Sequence, residues 1–175
     1  MRGLAMENIQ VYAQLFDMLC NSFDGAKLGK KAAQKMFYFF ERKGIDLNLR
    51  YGIHYYGPYS AKLDNMLHIL ESEDYIEINT GSSTHVISMK DGVSIDVLSG
   101  EQKQIATTVI EEFAHKTPLA LEALATMDFV SNTMKCSTKE QIISTFKEIK
   151  GDKFSESVIE ESYKNLQELG LIDAA

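Results

Sequence analysis

Apolar positions along this chain recur mainly every three to four residues, with a central stretch where they alternate instead. Over residues 6–20, Ile9, Tyr12, Ala13, Phe16, Leu19 and Cys20 fall on one side of a helix, with residues 1–5 a short lead into it. Residues 28–43 carry Ala32, Ala33, Met36, Phe37, Phe39 and Phe40, dense enough to cover more than half of a helical circumference. That helix is expected to be central. Gly44 suits its C-terminal stop, because glycine takes the left-handed conformation without a side-chain clash.

Residues 45–56 are bulky but lack a sustained period and read as an extended loop or irregular strand. Gly57-Pro58 predicts a sharp change of direction. Ser60 caps the next helix, where Leu63, Met66, Leu67 and Leu70 form a one-sided stripe and Lys62, Asn65, His68 and Glu71 face outward. Alternating segments at 75–79 and 85–89, joined by the Gly- and Ser-containing turn 80–84, predict the two strands of a wing. Asp91-Gly92 predicts a further hairpin, with Val93, Ile95 and Val97 as a third strand, preferred over the alternative that it leads directly into irregular chain.

Helical spacing then returns. Ser99 to Gln102 reads as a capping box before Ile105, Val109, Ile110 and Phe113, and a domain boundary is placed here, giving units 1–98 and 99–175. Thr117-Pro118 opens a largely buried helix, Ser137 to Glu140 reads as a second capping box, and Ser155 caps the last helix with Phe154 and Ile159 as a hydrophobic staple. A shift of 96 residues superposes Leu63, Leu67, Leu70, Tyr75 and Ile76 on Ile159, Tyr163, Leu166, Leu171 and Ile172. The expected class is therefore mainly α with a small antiparallel β-sheet. A winged-helix-like N-terminal unit precedes a C-terminal helical unit, which the shift reads as a second, wingless helix-turn-helix.

Charge changes this picture. The formal total is −7, yet Lys27, Lys30, Lys31, Lys35, Arg42, Lys43, Arg50 and Lys62 face only Glu41 and Asp46 in their window, a local +6 that leaves −13 elsewhere. A basic patch on an acidic body suits docking to one acidic partner, or a weak, oriented nucleic-acid contact, better than general polyanion binding. Glu71, Glu73 and Asp74 further disfavour DNA by putting acid at the C-terminal end of the expected recognition helix. The opening residues lack a secretory apolar core and no long apolar run occurs, so a cytoplasmic protein without membrane contact is expected.

Candidate chemistry is sparse. Ser60 or Cys136 could serve as nucleophile only with one of His54, His68, His85 or His115, and no nucleophile elbow surrounds Ser60. The histidines lack metal-ligand spacing, and Cys20 and Cys136 lack a CxxC arrangement, so no metal, cofactor or disulfide is expected. The aromatic cluster Tyr51, Tyr55, Tyr56 and Tyr59, with His54, is the better candidate for specific contact.

The string Gly29 to Phe39, then His54-Tyr-Tyr-Gly-Pro-Tyr-Ser60 and Leu63, resembles the YwgA-type proteins, which are distantly similar to the Panacea antitoxin domain. Leu119 to Thr126 and the tail ending Leu169-Gly-Leu-Ile172 extend the resemblance over most of the chain. Where that family has Lys-Leu-Gln-Lys, this chain has Ala32-Ala33-Gln34-Lys35. The resemblance implies a winged-helix-like fold and, through the Panacea relation, work as an antitoxin that binds a toxin protein; it does not imply an enzyme. Gln34, Lys35, Tyr38, His54, Tyr56 and Tyr59 are the expected partner-surface or motif residues. A winged-helix DNA-binding regulator is the alternative, with Lys30, Lys31, Ser60 and Lys62 as its nucleic-acid contacts.

Overall fold

The computed structural model describes residues 2–23, 27–81 and 85–173, with side chains from residue 9 onward. In chain order the elements are α1 (Arg2–Ser22), β1 (Leu28–Gly29), α2 (Lys30–Arg42), β2 (Gly52–His54), β3 (Gly57–Tyr59), α3 (Ala61–Ser72), β4 (Ile76–Asn79) and β5 (Val86–Met89). There follow α4 (Gly100–Phe113), α5 (Pro118–Asn132), α6 (Lys139–Lys150), a 3-10 turn (Gly151–Lys153) and α7 (Glu156–Glu168). The class is mainly α with a small antiparallel sheet. The first helix is longer than expected and already includes residues 2–5.

Two compact units divide the chain, residues 1–50 with 60–115 and residues 51–59 with 116–175. The first follows the order helix, strand, helix, helix, strand, strand, helix, and its sheet has strand order β1-β5-β4. At its centre Phe37 meets Tyr12 at 5.8 Å, Phe16 at 4.5 Å and Phe40 at 5.4 Å. On the adjoining side Phe39 stacks on Phe113 with centroids 3.8 Å apart. That stack, together with buried Ala106 and Val109, draws α4 into the first unit, so the boundary expected after residue 98 lies beyond His115 instead. Residues 45–50 follow an irregular path along this core, with Asn48 and Arg50 both in the left-handed region and Ile45, Leu47 and Leu49 buried between exposed Asp46, Asn48 and Arg50. The buried Tyr12 hydroxyl fixes the path by donating to the Leu47 carbonyl at 3.0 Å.

The expected strand at 93–97 does not form, and Leu28–Gly29 takes the third place in the sheet, pairing with Ile87 and Val86. The competing interaction is Gln14, whose Oε1 accepts from the amides of Val97 (2.7 Å) and Leu98 (2.8 Å). Those donors are committed to α1 rather than to a ladder. On the other sheet edge, Glu71 Oε1 accepts from the Ile78 amide at 3.0 Å and occupies an outward donor of β4.

In the second unit every residue of α5 from Leu121 to Val130 is buried, and α6, α7 and β3 pack around it. The β2–β3 hairpin pairs Gly52 with Tyr59 and His54 with Gly57, so the chain reverses at Tyr55-Tyr56 and Gly57-Pro58 lies within a strand. Caps at Ser60, Ser99, Thr117 and Ser155 form as the sequence predicts. The second capping box is displaced by one residue, to Thr138 with Gln141. Leu171 and Ile172 form no strand; both amides turn back onto the Leu166 carbonyl.

Candidate functional site

The motif residues of α2 are part of the interior. Gln34, Lys35 and Tyr38 are 4%, 3% and 5% exposed, which removes them from the expected partner surface. Their placement follows from a helix whose apolar side spans most of its circumference. Gln34 braces the start of α3 from within: its Oε1 accepts from the Ser60 amide at 2.9 Å and its Nε2 donates to the Ser60 carbonyl at 3.0 Å. Ser60 Oγ in turn donates to the Leu49 carbonyl at 2.5 Å and accepts from the Leu63 amide at 3.1 Å. A fully buried hydroxyl engaged in both directions is a helix cap, not a nucleophile or a phosphate contact.

Two of the expected nucleic-acid lysines are likewise engaged within the first unit. Lys30 pairs with Asp64 at 2.8 Å, and Lys62 donates to the carbonyls of Leu47 and Asn48 at 3.1 Å each. Lys31 is exposed. The first unit also holds a groove of about 780 Å³ lined in part by Cys20, Leu28, Asn79 and Met89. Burial and the charge of Asp17 push the Cys20 thiol up to about 11, which keeps it protonated and unreactive at neutral pH.

The second unit brings the aromatic turn to the surface. Tyr55 and Tyr56 are 76% and 44% exposed at the hairpin tip, with ring centroids 4.9 Å apart and planes at 89°. His54, exposed, lies 4.8 Å from the half-buried Tyr59 ring. Beneath the tip, Lys150 Nζ donates to the Tyr55 carbonyl at 2.8 Å and to Glu122 Oε1 at 2.7 Å. Lys153 Nζ donates to Oε1 and Oε2 of the same carboxylate at 2.7 and 2.9 Å. Burial works against the charged Glu122 carboxylate, but hydrogen bonds from both lysines outweigh it and hold the group below the usual carboxylate range. Burial also draws Lys150 below the usual lysine range, opposed by Glu122.

Sequence reasoning missed Glu122, Lys150 and Lys153. One signal was present: Glu122 is the single charge in the apolar run 118–127, and a charge inside a buried helix requires a partner. Which lysines answer it depends on the packing of α6 against α5. Among the described residues no group of three or more His, Cys, Asp or Glu side chains could hold a metal ion, and no helix is long and apolar enough to cross a membrane. No family model matches this sequence, and no curated protein matches it.

Proposed function

We propose that this chain is a non-enzymatic, cytoplasmic regulatory module of the YwgA type, antitoxin-like in that it binds a partner protein, and that the tip of the β2–β3 hairpin is its contact surface. The observation that carries this reading is the exposed, perpendicular Tyr55–Tyr56 pair anchored from below by a buried ion cluster. Large aromatic surface held in one conformation offers contact area at little entropic cost on binding. The resemblance of the Tyr-Gly-Pro-Tyr-Ser segment to the YwgA-type proteins supports the same reading. Affinity capture from the native host with wild type and Tyr55→Ser/Tyr56→Ser tests it. Selective loss of a stoichiometric partner from the variant is expected, and recovery of the same partners by both would overturn the assignment.

A winged-helix DNA-binding regulator is the second reading, favoured by the order helix, strand, helix, helix, strand, strand and the strand order β1-β5-β4. The pairing of Lys30 and Lys62 within the fold weakens it. Gel-shift titrations at low and moderate salt separate the two, since DNA binding predicts salt-dependent affinity for duplex.

A further inference from the structure

We infer that the Tyr55–Tyr56 tip is one part of a cation cage in which Lys153 is an internal occupant, and that a lysine side chain of the partner takes its place on docking. This rests on the protein-binding reading above and names the chemistry of the partner.

The geometry is that of a box. The two tyrosine rings form walls at 89°, and the Lys153 ammonium sits in their corner, 5.2 Å from each centroid. Phe154 forms a third wall at 5.7 Å. The Glu122 carboxylate is the floor, with both oxygens on the ammonium. Ring faces and a carboxylate present negative potential from four sides, an arrangement that accepts an alkylammonium and repels an anion.

Lys150 ties the floor of this box to one of its walls. Its side chain is 1% exposed and bonds both the floor, Glu122, and the wall-bearing backbone at Tyr55. Lys153 is placed differently. It ends the short turn after Gly151, which has a φ of +55°, and its side chain is 26% exposed. An incoming ammonium that takes the Glu122 contacts leaves the carboxylate with two cationic partners as before, while Lys153 turns its charge to solvent. The net charge of −7 attracts a cationic partner.

The test uses the full chain and n-butylammonium chloride as probe, with n-butanol as neutral control. In Lys153→Ala, butylammonium should raise the thermal midpoint and shift the Tyr55 and Tyr56 ring resonances, with butanol about tenfold weaker or inert. In the wild type the same resonances should shift at about tenfold higher butylammonium concentration, because Lys153 must be displaced. Equal responses to the two probes in Lys153→Ala, or none, overturn the cage. Lys153→Met, which keeps the side-chain volume, is the negative control and should not respond. If Lys153→Ala fails to fold, the wild-type titration decides by the same criterion. Should the ammonium be inert while the tyrosine variants still lose their partner, the protein-binding reading stands and the cage fails. Ammonium binding with undiminished partner capture would give the reverse.

Discussion

Gln34 and Ser60 exchange two hydrogen bonds, the glutamine amide accepting from the serine amide and donating to the serine carbonyl 26 positions along the chain. One side chain thus serves both backbone groups of a buried residue, and the Ser60 carbonyl accepts in addition from the Asp64 amide in the first turn of α3. The relationship fixes where α3 begins. It also explains why Gln34 belongs inside a helix that otherwise buries mainly apolar residues.

Substitution of Gln34 by Ala should cost about 2–3 kcal/mol, since the buried Ser60 amide loses its acceptor and the carbonyl loses one of its two donors. Ser60→Ala should cost about 1–2 kcal/mol through loss of the cap. Urea unfolding of both single variants and the double variant checks this. The double variant should lose less than the sum, because the two residues share one network. If Gln34 were a contact residue, its replacement would leave the unfolding midpoint unmoved.

Glu122→Gln should destabilise the chain by about 3 kcal/mol, because the buried Lys150 ammonium loses its counter-charge and keeps the Tyr55 carbonyl. The folded carboxyl lies below its unfolded range, so its contribution is present above the unfolded value of about 4.3 and disappears as pH falls through the folded one. The gap in thermal midpoint between wild type and Glu122→Gln should therefore narrow in acid. A gap constant from pH 7 to pH 2 would contradict the assignment.

Cys20 should resist thiol reagents at pH 8 and gain reactivity with an apparent pKa of about 11, well above the ordinary thiol range. The raised folded value means that stability is lost as pH climbs from the unfolded pKa through the folded one. Cys20→Ala should remove that part of the alkaline loss. Measuring thiol modification rates in a Cys136→Ser background, from pH 7 to pH 11, reads the titration directly.

Phe113→Ala should cost about 4 kcal/mol, as the stacked Phe39 ring loses its partner in a filled core. Thermal unfolding of the variant checks it. A loss below about 1 kcal/mol would mean that α4 is dispensable to the first unit.

The local signals of this chain were enough to place most of its helices and four of their caps. Those rules act within a few residues: a serine hydroxyl meets an amide three positions later, and an apolar stripe at 3.6-residue spacing faces one way. The strands β4 and β5 were legible for the same reason. The third strand was not, because Leu28-Gly29 is too short to carry a period and depends on β5 for its pairing. Val93, Ile95 and Val97 did carry the period, yet the Val97 amide was claimed by Gln14 from 83 positions away.

The site divides in the same way. Sequence alone pointed to the tyrosine-rich turn, Gln34 and Lys35 as motif residues and to Ser60 as a cap, whereas the lone charge of Glu122 in an apolar run, and its need for a partner, went unread. Only the tertiary structure decided which members are interior and which are surface. Burial is set by what packs on each side of a helix or hairpin, and no residue carries that information locally. The basic window shows the consequence: Lys30 and Lys62 are engaged by Asp64 and two loop carbonyls, whereas Tyr55 and Tyr56 stand at the tip of a reversal that the sequence assigned to Gly57-Pro58.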